Sequence, residues 1–304
     1  MGITPTLPLT LHRLPKPEIV HIFGFRDVVT TVTAAWCRAR RIPYVFEPLD
    51  MVVPQFRNVP VKRAFDRVVG GSVLRGARLV IANSARERSQ LVAAGVEDAR
   101  LVVRPNGFPT AHDDRGTILR NMLGIDPDAP LVLNVGRLSF KKGLDLLLEA
   151  VASLTNVHLA IVGPDDGDGT RELLERRVSR PDLAGRVALL PPFDDRQPRE
   201  LYGEADIFVL PSRNESFGMV AAEAAAAGVA VVITDQCGIA ELLADAALVV
   251  PTEVGAIRAA IARLLDDPPL RARLGIAGQA VAKATSWDSV VDLQESLYHR
   301  ALTS

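Results

Sequence analysis

Cysteine is scarce. Two residues in 304, Cys37 and Cys237, make no disulfide framework and show no zinc spacing, which fits a reducing, cytoplasmic setting. The five histidines are scattered without metal-ligand spacing. No apolar run approaches the ~20 residues that a membrane-spanning helix needs. The opening residues, MGITPTLPLTLHRLPKPE, are broken by proline and lack the apolar stretch of a signal peptide. Aromatic residues make up only 5% of the chain, and none interleave with its basic region, which argues against a nucleic-acid platform. What remains is a globular chain, 48% hydrophobic and 23% charged, long enough for about two domains with sizeable cores.

Charge is present but unevenly placed. Net charge is −1, yet residues 1–108 hold 16 Lys/Arg against 8 Asp/Glu, and the remainder holds 19 against 28. Two readings are open. The first third faces something anionic, such as a membrane surface, or it simply carries a solvated basic face.

Strand and helix patterns alternate along the chain. Residues 19–24 read as a buried strand, 28–41 as a helix with a basic face, 43–47 as a strand, 61–75 as a helix and 78–82 as a strand. Ser84 is placed to cap a helix over 85–94. A strand at 101–103 precedes the breaker Arg104-Pro105-Asn106-Gly107. Residues 109–130 are polar and proline-containing and read as a linker. The alternation then restarts. Strands are expected at 131–135, 157–162, 187–190, 207–210, 230–234 and 248–250. Helices are expected at 144–153, 171–179, 199–204, 217–227, 255–265, 269–283 and 289–302. This predicts an α/β protein with parallel sheets and a complete doubly wound, Rossmann-like second domain. The first part holds about three βα units and reads as incomplete. The expected division is 1–108, 109–285, and a terminal helix at 286–304.

Ligands of doubly wound sheets bind at the carboxyl ends of the strands, and three loops there carry suitable chemistry. In the first, Gly136-Arg137-Leu138 with Lys142-Gly143, glycine permits close backbone approach. Arg137 and Lys142 supply two cations suited to a diphosphate, or else surface salt bridges. The second contains Asp166-Gly167-Asp168, which could be a D-x-D metal site but reads better as a solvated strand-end loop. The third runs from Glu215 through Ser216, Phe217, Gly218 and Met219 to Glu223, from a strand end into an alanine-rich helix. The start of that helix offers free N–H groups to an anion. A carboxylate can accept two hydrogen bonds from a vicinal diol such as a ribose. Both glutamates could instead just favour the helix N-terminus. That reading is weaker for Glu223, the only polar side chain between Met219 and Gly228, where close-packed alanines leave a glutamate in need of a specific partner.

The segment Glu215 to Glu223 resembles the E-x7-E motif of retaining GT-B glycosyltransferases of the group 1, family 4 type. Gly136-Arg137-Leu138 with Lys142-Gly143 is similar to the family's G-R-L…K-G loop, and Leu210-Pro211-Ser212 to its strand-end L-P-S. Thr234-Asp235-Gln236-Cys237-Gly238 with Glu241 resembles its T-D…G-G…E turn, with cysteine at a usual glycine. Pro105-Asn106-Gly107 resembles its hinge, and Ser286-Trp287 with the last helix its terminal segment crossing back to the first domain. The resemblance covers about residues 19–302. It implies two Rossmann-like domains facing a cleft and transfer of a hexose from a UDP- or GDP-linked donor. Arg137 and Lys142 would hold the diphosphate without a metal and stabilise the leaving nucleotide. Ser216 and the amides of Phe217, Gly218 and Met219 would hold the distal phosphate and sugar. Glu223 would bind the ribose, and Glu215 the donor sugar near its reacting carbon. No cofactor is implied. The partners implied are a nucleotide-sugar and a glycan or lipid-linked acceptor, met at the inner face of a membrane.

This sequence departs from the family pattern at its front. Family members begin with two further βα units carrying a Gly-rich acceptor-side loop. Here the first strand is similar to a later one, so a truncated first domain is expected. Leu49-Asp50 stands where the family often has His-Gly or His-Asp. The alternative function is a nucleotide-sugar-binding module, inactive or completed by a partner chain. The paired G-R-L…K-G and E-x7-E motifs argue against a GT-B epimerase, and the lack of a cofactor-lysine motif argues against a phosphorylase.

Overall fold

The computed structural model of the chain describes residues 6–55, 58–109, 117–193 and 198–303. The chain divides into two compact units, Met1–Pro105 with Asp288–Ser304, and Asn106–Trp287.

The first unit is built on β1 (Val20–Phe23), β2 (Tyr44–Glu47), β3 (Leu79–Ala82) and β4 (Leu101–Val103), all parallel and in the order β1-β2-β3-β4. Its helices are α1 (Leu7–Arg13), α2 (Val28–Ala39), α3 (Val59–Phe65), α4 (Gly71–Gly76) and α5 (Ala85–Ala93). Asp27 and Ser84 accept from the N-terminal amides of α2 and α5 and so fix where those helices begin. The proline-broken start forms α1, with Pro8 in the first turn, where its missing N–H is not used. One expectation is corrected here. The single helix expected over 61–75 is α3, a π-helical turn Asp66–Gly70, and α4. At the widened turn both Asp66 oxygens accept from Arg26, at 2.7 and 2.6 Å, and Gly70 sits where an added Cβ would lie 2.7 Å from Phe25.

At the strand ends of this unit, buried Glu47 pairs with buried Arg104, and His21 Nε2 lies 3.4 Å from the same carboxylate. His21 Nδ1 shares a hydrogen bond of 2.8 Å with the Tyr298 hydroxyl, carried on the last helix of the chain. Glu87 is fully buried on α5. It accepts from the backbone N–H of Asp50 and, at 2.8 Å, from that of Asn83, and so ties the ends of β2 and β3 together. Burial pushes the Glu87 carboxyl up to about 7, against the pull of those two amides. A raised folded pKa means that the native state holds the proton more tightly than the unfolded chain. The stability from this group is therefore full below about pH 4.5 and is lost as pH rises through about 7. Urea unfolding at pH 5 and pH 8 should show wild type losing about 2–3 kcal/mol across the range, with most of that loss absent in Glu87→Gln.

The second unit is a six-stranded parallel sheet of β5 (Leu131–Val135), β6 (His158–Val162), β7 (Val187–Leu190), β8 (Ile207–Leu210), β9 (Ala230–Thr234) and β10 (Ala247–Val250), ordered β10-β9-β8-β5-β6-β7. The helices of this half are α6 (Ile118–Leu123), α7 (Leu144–Ala152), α8 (Thr170–Val178), α9 (Pro198–Glu204), α10 (Met219–Ala226), α11 (Val254–Asp266) and α12 (Pro268–Ala284). Both sheet faces are covered. Leu131, Leu133, Phe208 and Leu210 pack on one side, and Val132, Leu159, Ile161 and Val209 on the other. That is why these strands read as nearly unbroken apolar runs. The winding direction reverses between the neighbours β5 and β8, which makes their carboxyl ends the topological switch point. The alanines of α10 serve packing: Ala221, Ala222, Ala224, Ala225 and Ala226 are buried, and an added Cβ at Gly278 of α12 would lie 3.1 Å from Ala225.

The linker expected over 109–130 is corrected by α6; residues 110–116 lie outside the described residues. Leu119 is fully buried, and the amides of Leu119 and Arg120 donate to the Glu204 carboxylate at 3.1 and 2.9 Å. Arg120 also reaches Asp206 at 3.1 Å and the Ala129 carbonyl at 2.7 Å. The segment is thereby fastened to the sheet.

The two ends of the second unit lie together. Phe108 N donates to Thr285 O at 2.7 Å, and Phe108 bridges to Ser286. A Cβ on Gly107 would lie 2.5 Å from the Trp287 ring and 2.7 Å from its Cα. Gly107→Ala should therefore cost about 1–3 kcal/mol in urea unfolding, as overpacking of a tight contact does. The last helix, α13 (Trp287–Thr303), belongs to the first unit from Asp288 onward, where Leu297 and Ala301 pack on Val45, Leu79 and Ile81.

Candidate functional site

Three loops leave the carboxyl ends of β5, β8 and β9 and are cross-tied by backbone hydrogen bonds. After β5, Gly136 N donates to Val162 O at 2.9 Å and Leu138 N to Pro164 O at 2.8 Å, so the β5–β6 pairing continues past the sheet. Gly163 is pressed onto Gly136, where a Cβ would come within 1.9 Å of a carbonyl oxygen. Arg137 projects from this ledge with its side chain 63% exposed, Nη1 2.6 Å from Asp166. The loop ends at Gly143. Its φ of +64°, and the Pro211 carbonyl 2.1 Å from a Cβ placed there, exclude other residues. Lys142, just before it, is ion-paired to Glu215, and both side chains are largely buried.

Arg213 locks the second loop to the first. Its N–H donates to Lys141 O at 2.7 Å, its guanidinium forks onto Asp145 at 2.7 and 2.6 Å, and it lies 4.3 Å over the Phe140 ring. Burial raises the Asp145 carboxyl, but the Arg213 fork outweighs it and holds that group below the ordinary carboxylate range. The third loop closes the set. Glu215 N donates to Gln236 O at 3.2 Å, Gly238 N to Glu215 O at 3.0 Å, and Ile239 N to Phe217 O at 2.8 Å. Thr234 Oγ1 donates to Ser212 O at 2.6 Å. Cys237, in the turn, is buried, and burial pushes its thiol up to about 12; it is a packing residue with little thiolate character.

The helix expected over 217–227 starts later, at Met219, because Gly218 adopts φ +112° as its cap. Phe217 is therefore outside the helix. Its ring is buried in the core, edge-on to Phe108 at 6.5 Å, which leaves only its backbone for a ligand. Ser216 and Met219 are half-buried at the mouth of α10. The first amides of that helix have no intrahelical acceptor. The aspartates of the second sequence motif have structural partners. Asp168 accepts from Phe140 N at 3.1 Å and Thr170 N at 3.0 Å, Asp165 from Gly167 N at 2.9 Å, and Asp166 from Arg137. Among the described residues no group of three His, Cys, Asp or Glu is arranged for a metal ion.

Glu223 is half-buried on α10, and its Oε2 accepts from the Tyr202 hydroxyl at 2.6 Å. Tyr202 is 1% exposed. Burial first, then the Glu223 charge and hydrogen bond, raise the phenol well above its ordinary value, so it donates at every working pH. Sequence reasoning missed this residue. The signal was available: a tyrosine buried on a short helix needs a partner for its hydroxyl, and Glu223 needed one for its carboxylate.

Cations, unpaired helix amides and carboxylates thus stand at the switch point of a Rossmann-like sheet, an arrangement complementary to a diphosphate flanked by hydroxyl-bearing groups. The chain belongs to the group 1 glycosyl transferases and has the GT-B fold. Residues 117–281 match the model of Glycosyl transferases group 1, and residues 3–107 match that of the Glycosyl transferase 4-like domain. It is 33% identical, over 304 aligned positions, to the D-inositol 3-phosphate glycosyltransferase of Xylanimonas cellulosilytica, covering 91% of this chain and 73% of that one. It is 34% identical over 255 positions to the protein of the same name from Thermomonospora curvata, covering 76% and 59%. The chain thus spans 73% and 59% of the length of these two relatives. Among solved structures, Anabaena Alr3699/HepE in complex with UDP-glucose superposes with a TM-score of 0.82 at 25% identity, over 97% of this chain and 82% of that one.

Proposed function

We propose that the chain transfers a hexose from a nucleotide-sugar with retention of anomeric configuration, using the β5/β8 switch point as its donor site. The observation that carries this reading is the convergence there of Lys142, Glu215 and the amide end of α10, on loops tied to one another by backbone hydrogen bonds. Such preorganisation is what electrostatic stabilisation of a leaving group requires. Arg137 and Lys142 take the diphosphate, and their charge offsets that of the departing nucleotide without a metal. Ser216 and the amides at Phe217, Gly218 and Met219 hold the distal phosphate and sugar. Glu223 accepts from the ribose diol. Glu215, ion-paired to Lys142, contacts the sugar beside the reacting carbon. The sugar is delivered to the face that the nucleotide leaves, so no protein nucleophile is needed.

The acceptor is a glycan or lipid-linked molecule, reached by the basic first third of the chain at a membrane's cytoplasmic face. No helix of the described residues is long and apolar enough to cross a membrane. The relatives are named for an inositol phosphate, which puts a phosphorylated polyol beside those acceptors in any screen. UDP- and GDP-hexoses are to be incubated with the chain and such acceptors and followed by proton NMR. The expected result is a product whose first-formed anomer matches the donor. An inverted first-formed anomer contradicts retention. Donor binding with no turnover under any acceptor supports the second reading, a nucleotide-sugar-binding module completed by another chain.

A further inference from the structure

We infer that Tyr202 is the positioning residue of the donor site's ribose carboxylate: its buried hydroxyl aims Glu223 and so sets selectivity for the nucleotide's ribose. This rests on the donor-site reading given above.

The two residues come from different elements. Tyr202 lies on α9, which leads into β8, and Glu223 lies on α10, which follows β8. The phenol ring is fixed edge-on to Phe208 of β8, with centroids 5.6 Å apart. Ring and hydroxyl are thereby oriented by the central strand of the sheet. The hydroxyl meets Glu223 Oε2 at 2.6 Å, the length of a charge-assisted bond. The neighbouring alanines of α10, Ala221, Ala222, Ala224, Ala225 and Ala226, are buried and carry no polar group, so the hydroxyl from α9 is a hydrogen-bond donor brought to Glu223 from another element. A glutamate side chain has several rotatable bonds, and ordering it at the moment of binding weakens affinity. A rigid donor on one carboxylate oxygen lowers that cost, because a carboxylate retains acceptor capacity when one hydrogen bond is made. The reading also explains why a large polar aromatic stands in an otherwise apolar core layer with Leu201 and Phe208.

The test is calorimetric titration of UDP and GDP, and of their 2′,3′-dideoxy analogues, onto wild type, Tyr202→Phe, Glu223→Ala and the double variant. Phenylalanine keeps the ring contact with Phe208, and a thermal melt reports folding of each variant. For whichever nucleotide binds wild type, Tyr202→Phe should weaken binding about five- to twentyfold, while leaving the dideoxy analogue's affinity unchanged. In the Glu223→Ala background the same substitution should have no further effect on nucleotide affinity. With donor sugar, KM should rise while kcat stays at the wild-type value. Unchanged affinity in Tyr202→Phe, or an equal loss for the ribose and dideoxy forms, overturns the inference and leaves Tyr202 as packing between α9 and α10. Unchanged nucleotide affinity in Glu223→Ala overturns the ribose reading of Glu223 itself, and the inference with it. Should Tyr202→Phe not fold, Glu223→Gln replaces it: its amide oxygen keeps the tyrosine's partner, and it should retain more ribose discrimination than Glu223→Ala. Equal discrimination in the two overturns the inference.

Discussion

Lys142→Ala should lower kcat about 10²–10³-fold, the usual cost of removing one preorganised charge from a developing leaving group. Lys142 is the cation built most firmly into the site. It is held by the 3₁₀ turn Phe140–Lys142, by Gly143 against Pro211, and by Glu215. Arg137, by contrast, is 63% exposed, so solvent screens it and the loss there is smaller. The substitution has a second consequence. It leaves Glu215 largely buried without its lysine, which should lower stability by about 1–3 kcal/mol. Single-turnover kinetics with saturating donor, read beside urea unfolding, separate the two effects. Lys142→Arg retains the charge but replaces a compact ammonium with a planar fork, and it should recover stability better than rate. A kcat within threefold of wild type for Lys142→Ala would place the leaving-group charge elsewhere.

Glu223→Ala should weaken nucleotide binding about 30- to 100-fold, or roughly 2–3 kcal/mol, with kcat nearly unchanged once donor saturates. A ribose contact is made equally in the ground and transition states, so its loss appears in KM. The variant also strands the Tyr202 hydroxyl in a core where it is 1% exposed. Leaving a buried donor without its acceptor costs about 1–3 kcal/mol of stability. Glu223→Gln keeps an acceptor for Tyr202 and should recover most of that stability, but less of the affinity, because an amide accepts through one oxygen only. Calorimetric titration and urea unfolding check both halves.

Much of this was legible in the sequence, for physical reasons. The strands of the second unit are covered on both faces, so they read as continuous apolar runs, and alternation with helices gave the parallel sheet. The cap at Ser84 was legible because capping needs only one local side chain. Arg137, Lys142 and Glu215 were legible on strand-end loops and Glu223 on the helix that follows, whereas the strand order that makes the ends of β5 and β8 a switch point needed the fold. What escaped depends on long-range partners. The segment around Leu119 looked like a linker because its anchor, Glu204, is 85 residues away. The π-turn at Asp66 reflects Arg26, 40 residues earlier. The pairing of Tyr202 with Glu223 spans β8 and needed the fold to be seen. Phe217, read as part of the α10 helix, was displaced by the backbone of one glycine, Gly218.

The most direct test of the donor-site claim is a crystal structure of the chain with an intact nucleoside-diphosphate hexose bound. The account predicts diphosphate oxygens within hydrogen-bonding distance of Lys142 Nζ and of the first amides of α10, with the ribose hydroxyls on Glu223. A diphosphate bound away from the carboxyl ends of β5 and β8, or a ribose that makes no contact with Glu223, would contradict it.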